Sequence, residues 1–129
     1  MAGEGTARFP STMRLKKRSE ILRVFREGIV WRGRCFSVHG LFRTPDASQR
    51  PPGHSRLGIV VTRRVGSAVE RNRIKRRIRE VFRGTVHHLP TVDLIVVPTR
   101  ACLDAPMEEI EQDLLRAAHT LARRMKEKR

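Results

Sequence analysis

The spacing of apolar positions divides the chain into helix-like and strand-like stretches. Residues 19–27 carry Ile21, Val24 and Phe25 at helical spacing, with Ser19 placed to cap the helix and Gly28 to end it. Ile29, Val30 and Trp31 predict a short strand, and Arg32-Gly33-Arg34 a basic turn. From Cys35 to Phe42 the period becomes two. Phe36, Val38 and Phe42 fall on one side, and Cys35, Ser37, His39 and Leu41 on a more mixed side. Residues 44–56 read as a loop by their Pro, Gly and Ser content. Residues 57–62 form a further strand, and 93–99, almost continuously apolar, a strand buried on both faces. A final helix follows, with Asp104 as cap and Pro106 in its first turn. Its stripe of Met107, Ile110, Leu114, Ala117, Ala118, Leu121 and Met125 reads as core against the sheet. Helix, strands, helix, strand, helix is the order of an α/β sandwich on a small sheet.

The helix between the last two strands has a defined start. Ser67 followed three residues later by Glu70 is a capping box, with Gly66 before it, and the helix fades near Gly84. At about 100° per residue, Ile78, Val81 and Phe82 share a face with Ile74. Asn72, Lys75, Arg76, Arg79 and Arg83 take the far side, and Arg71 falls near the seam between helix and sheet. A solvated helix face carries mixed signs and Glu–Lys pairs four apart. Here one sign is stacked on one face, which a polyanion relieves.

Composition agrees. Among 129 residues, Lys and Arg number 28 against 13 acids, a formal charge of +15. The length suits one domain: a flexible tail over 1–12, a single nucleic-acid-binding α/β domain over 13–122 and a basic tail over 123–129. No apolar run is long enough to span a bilayer, and the first residues hold no apolar segment of a signal peptide. Cys35 and Cys102 make no disulfide framework and fit a reducing cytoplasm.

The run from Arg64 to Glu80, RVGSAVERNRIKRRIRE, resembles the signature of the bacterial ribonuclease P protein subunit, with Arg71-Asn72-Arg73 and the following Ile-Lys-Arg at its centre. The resemblance extends over roughly 13–122, through Arg14-Leu15, Lys17, Phe25, Gly28, Phe36 and Leu57-Gly58. It implies an α+β fold of order αβββαβα, with a small mixed sheet. It also implies a left-handed βαβ crossover, where general rules favour the right-handed form. It implies that Arg63, Arg64, Arg71, Asn72, Arg73, Lys75, Arg76 and Arg79 face a catalytic RNA. The first helix and the sheet would form a cleft for the single-stranded 5′ leader of precursor tRNA, with Ile21, Phe25 and His39 in it and Arg14 and Lys17 at its rim. The family often has aromatic rings where Ile21 and His39 stand, so less stacking is expected. By periodicity alone, Phe25 reads as core.

No nuclease constellation accompanies this. Asp46, Asp93 and Asp104 lie far apart in sequence, and Glu108, Glu109 and Glu111 sit on the last helix, whereas a two-metal nuclease clusters its carboxylates. His87-His88 lacks a third ligand nearby. No catalytic residue and no protein-bound metal or cofactor are expected. The resemblance assigns hydrolysis to the RNA subunit and its Mg²⁺, with the protein a cytoplasmic monomer inside the ribonucleoprotein and no membrane partner. Two competing readings are a ribosomal or other structured-RNA-binding protein and a nucleoid-type DNA binder. The second expects a helix-turn-helix, yet strands flank the basic helix.

Overall fold

A computed structural model describes residues 14–15, 17–42, 55–85 and 92–127, with the backbone alone at 42 and 125–127. The expected N-terminal tail, most of the 44–56 loop, His87-His88 and the Met125 side chain lie outside that description. The element order is α1 (Arg18–Glu27), β1 (Ile29–Arg32), β2 (Phe36–Phe42), β3 (Arg56–Ile59), a 3-10 turn (Arg63–Val65), α2 (Ala68–Thr85), β4 (Val92–Pro98), a second 3-10 turn (Arg100–Leu103) and α3 (Met107–Glu127). This is the αβββαβα order. The strands lie in the order β1-β2-β4-β3, with β3 parallel to β4 and the other pairs antiparallel. α2 is the crossover that joins the parallel pair.

β4 is central, and its alternate residues feed both faces. Val92, Leu94 and Val96 join Phe36, Val38 and Leu57 in the larger core, which α2 covers with Ile74, Ile78 and Phe82 and α3 with Ile110, Leu114 and Leu121. Ile95 points the other way, into a small cluster with Leu15 and Val24 under α1. Gly28 ends α1 by donating its N–H to the Val24 carbonyl at 2.8 Å. A Cβ there would come within 2.5 Å of that oxygen and 2.6 Å of the Gly40 carbonyl oxygen, so only glycine lets the helix end this close to β2.

Local signals fail at several ends. Ser19 does not cap α1: the helix already starts at Arg18, and Lys17 holds the cap position with no side-chain bond. Asp104 does not cap α3. It closes the 3-10 turn before it, its N–H donating to Ala101, and α3 opens where Glu109 and Ile110 donate to the Pro106 carbonyl. The strand expected over 57–62 is Arg56–Ile59, because the chain turns into the first 3-10 element. Cys35 does not share the face of Ser37 and His39. It precedes β2 in a bend and is fully buried in the larger core.

Candidate nucleic-acid interface

α2 is fixed at its start from two directions. The capping box forms: Ser67 N–H donates to Glu70 Oε1 at 2.9 Å, and Glu70 N–H to Ser67 Oγ at 3.1 Å. Because β3 and β4 are parallel neighbours, their C-terminal ends leave the sheet together, so the turn after β4 reaches the turn after β3. There Arg100 donates to the Val65 carbonyl at 2.9 Å and to both Glu70 oxygens at 3.2 and 3.0 Å. The Arg100 guanidinium, then the Ser67 N–H, hold the Glu70 carboxyl down at about 2. Gly66 has extended backbone, and its missing side chain leaves room for that carboxylate and the Arg100 guanidinium.

The faces of α2 divide as the periodicity expects. Ile74, Ile78, Val81 and Phe82 are buried; Asn72, Arg73 and Arg76 are exposed, Lys75 and Arg79 half-buried. Burial, and then the neighbouring Arg14, push the Arg79 pKa down. Arg63 and Arg64 are exposed on the 3-10 turn just before the helix. Arg71 is half-buried, and its Nη1 folds back to donate to the Gly66 carbonyl at 2.8 Å. Among the described residues no carboxylate pairs with Arg63, Arg64, Arg73, Lys75, Arg76 or Arg79.

Arg77 belongs to the same run of cations and does a different job. It donates to the carbonyls of Cys102 (2.8 Å), Leu103 (2.5 Å) and Ala105, tying α2 to the turn that leads into α3. The wheel contains the signal, since Arg77 falls about 60° from Ile74, on the flank of the apolar arc.

The second surface is the sheet face under α1, and strand register divides it into rows. Leu41, Asp93 and Arg56 are partners across the sheet; Val30, His39, Ile95 and Gly58 form the next row. Arg32, Ser37 and Val97 form the third, continued by Val60, whose N–H donates to the Val96 carbonyl. α1 is anchored on the first row. Arg56 makes a two-pronged ion pair with buried Asp93 at 2.9 and 2.8 Å, and its third nitrogen meets Glu20 of α1 at 3.1 Å. The second row lies under Val24 and Phe25. The third is left open by the described residues: Ser37, Val60 and Val97 are half-buried and Arg32 is exposed.

The expected cleft residues gather around this face. Phe25 is not core; it is 39% exposed and meets His39 edge to face with ring centroids 4.7 Å apart. Burial first, then Arg32, pull the His39 pKa below its usual 6.5, so the ring is neutral at pH 7. Ile21 is half-buried against Leu15, Val24 and Ile95. Arg14 forms a backbone bridge to Leu57, Leu15 N–H donates to the Leu57 carbonyl at 2.9 Å, and Lys17 is exposed at the start of α1. That Arg32, Ser37, Val60 and Val97 lie side by side was not legible in the sequence, because only register puts them in one row.

The fold also assembles a cluster that sequence spacing hides. Cys35 Sγ donates to Glu109 at 3.3 Å, and Asp113 lies beside them. Burial pushes the Cys35 thiol up to about 11 and the Cys102 thiol up to about 12, so both stay protonated. Arg34 binds Glu109 through two nitrogens and Arg116 sits 3.7 Å from Asp113, so both carboxylates already have counter-charges.

The sequence profile of the family Ribonuclease P matches residues 9–122, and the chain belongs to that family. The ribonuclease P protein component of Thermus scotoductus is 42% identical over 92 residues, 71% of this chain and 50% of that protein. The one from Streptococcus pyogenes serotype M5 is 31% identical over 103 residues, 80% of this chain and 81% of that one. The chain thus spans about half the length of the Thermus relative it matches. The solved RNase P protein of Thermotoga maritima superposes with a TM-score of 0.67 at 31% identity, over 85% of this chain and 96% of that one. The Staphylococcus aureus RNase P protein gives 0.65 at 31% identity, over 81% and 91%.

Proposed function

We propose that this member of the ribonuclease P family is the protein subunit of a tRNA-processing ribonucleoprotein. It binds the catalytic RNA along α2 and the 5′ leader of precursor tRNA in the cleft between α1 and the sheet. The observation that carries the reading is the stripe of Arg73, Lys75, Arg76 and Arg79. It is single-signed, unpaired among the described residues, and held on a helix braced at its start by Glu70 and Arg100. Such a stripe binds phosphates by releasing their counterions. The protein's contribution is electrostatic and positional: it offsets phosphate repulsion and holds the leader. Hydrolysis belongs to the RNA and the Mg²⁺ it requires, with the protein acting as a monomer in the cytoplasm. Among the described residues no helix is long and apolar enough to cross a membrane.

Two measurements test this. RNA-free protein with precursor tRNA and Mg²⁺ gives no 5′ cleavage, and adding the RNA subunit gives cleavage at low Mg²⁺. Cleavage by the protein alone would overturn the assignment of hydrolysis to the RNA. Replacing Arg76 and Arg79 with Ala weakens binding to the catalytic RNA, and each lost phosphate contact lowers the log–log salt slope by roughly 0.7 to 0.9. An unchanged slope would remove α2 from the interface.

A further inference from the structure

The open row of the sheet ends in Arg32, a cation with no carboxylate partner among the described residues. Arg32 lies at the β1 edge, directly opposite Ser37 on β2, and paired residues of neighbouring strands share a face. The row continues across Val97 to Val60, from which the chain runs into the Arg63–Val65 turn at the other edge. At ordinary strand spacing it spans about 14 Å between the edge strands. Its floor is valine and its near wall is the Phe25–His39 ring pair.

Neighbouring arginines show what is unusual about Arg32. Arg34, two residues on, is held by Glu109 at 3.0 to 3.3 Å. Arg23 on α1 pairs with Glu27, the carboxylate in the last turn of that helix. Arg56 is spent on Asp93 and Glu20. Among the described residues Arg32 has no carboxylate partner, and the one group it is known to act on is the His39 ring, whose proton it repels. Among the same residues the Ser37 hydroxyl makes no side-chain hydrogen bond. Two donors therefore stand side by side at the end of an apolar strip, next to two rings, with no acid to satisfy them.

We infer that Arg32 and Ser37 form a phosphate-binding subsite for single-stranded RNA, taking a backbone phosphate of the leader as it crosses the open row. The inference rests on the reading that this cleft holds the leader, and it adds the point of grip. A planar guanidinium takes two phosphate oxygens at once, and the hydroxyl beside it can donate to a third. The neutral His39 and Phe25 then meet the base next to that phosphate by ring contact. A grip on the phosphate makes leader binding depend on salt more than on base identity.

The test uses holoenzyme assembled from the RNA subunit and Arg32→Ala, Arg32→Lys, Ser37→Ala or His39→Ala protein. Each is titrated with mature tRNA and with precursor whose leader carries a neutral methylphosphonate at one linkage at a time. In the wild type, one linkage should stand out as costly to neutralise. Arg32→Ala should weaken precursor binding roughly fivefold, lower its salt slope by about 0.7, and abolish the cost at that linkage, with mature tRNA unchanged. Arg32→Lys should restore most of the affinity and the slope. Arg32 is exposed at a sheet edge, so melting curves should match the wild type. If His39→Ala weakens precursor alone while Arg32→Ala changes nothing, the cleft stands and the subsite is wrong. If Arg32→Ala acts but its effect is the same at every linkage, Arg32 is a diffuse charge and the subsite is again wrong. If every variant shifts precursor and mature tRNA equally, the leader reading itself fails.

Discussion

The two faces of the sheet are built to different standards. One is roofed by α2 and α3, which between them bury Phe36, Val38, Leu94 and Val96 completely. Among the described residues the other has α1 alone, a helix of ten residues, anchored at one end by the Arg56, Asp93 and Glu20 ion pairs. It seals Ile95 and stops before the row of Arg32, Ser37, Val97 and Val60. Among the described residues, three helices on four strands leave part of one face bare. That remainder combines an apolar floor with polar edges, which suits an extended polyanion better than a globular partner. The cations divide in a parallel way. Arg77, beside the roofed face, is spent on carbonyls, whereas Arg73, Lys75, Arg76 and Arg79 on the outer side of α2 and Arg32 at the open row meet no carboxylate among the described residues.

The largest test of this contrast is a pair of phenylalanines. Phe82→Ala, on the roofed face, should cost about 3–5 kcal/mol of unfolding free energy because it leaves a cavity among α2, α3 and the sheet. Phe25→Ala, on the open face, should cost about 1 kcal/mol, the worth of one ring pair, while lowering affinity for precursor tRNA. Urea titrations of both variants decide it, and equal losses would mean that α1 closes its face as fully as α2 and α3 close theirs.

A smaller effect separates adjacent arginines. Arg77→Met keeps the aliphatic bulk but strips the donors from three carbonyls, and should destabilise by about 2–3 kcal/mol with little change in the salt slope of RNA binding. Arg76→Ala should leave the melting point within error and change the slope instead. The same change in both variants would merge the two classes of cation.

The smallest effect is a pH dependence at the open face. The folded pKa of His39 lies below its unfolded value of about 6.5. As pH falls through 6.5 the unfolded chain takes up the proton first, so His39 makes the fold slightly less stable toward acid. Binding has the opposite sign: once protonated, the imidazolium beside Arg32 adds a charge for leader phosphate. The preference for precursor over mature tRNA should therefore rise as pH falls below 6.5, and the rise should vanish in His39→Gln. A rise that persists in His39→Gln would belong to another group.

Much of the fold was legible because its signals are local. The capping box needs only residues three apart, and it forms as the letters suggest. The apolar arc of α2 and the stripe of α3 need only helical period, and β4 needs only its nearly continuous apolar run. Single end signals were weaker. Ser19 and Asp104 are good capping residues, yet neither caps its helix, since the helix starts depend on where neighbouring turns are held.

The chain by itself determined the succession of helix, strands, helix, strand and helix, and the concentration of positive charge on one side of one helix. All of these follow from the stereochemistry of contiguous residues. Tertiary structure alone decided which cations stay available. Arg76 and Arg77 are neighbours of the same type, and only the docking of the Arg100–Leu103 turn on α2 turns one of them into a structural donor. It alone put Cys35 in the core beside Glu109, brought Arg100 onto Glu70, and lined up Arg32, Ser37 and Val97 across three strands. Those contacts join residues far apart in the chain. Their free energy depends on strand order and register, which no short window of sequence contains.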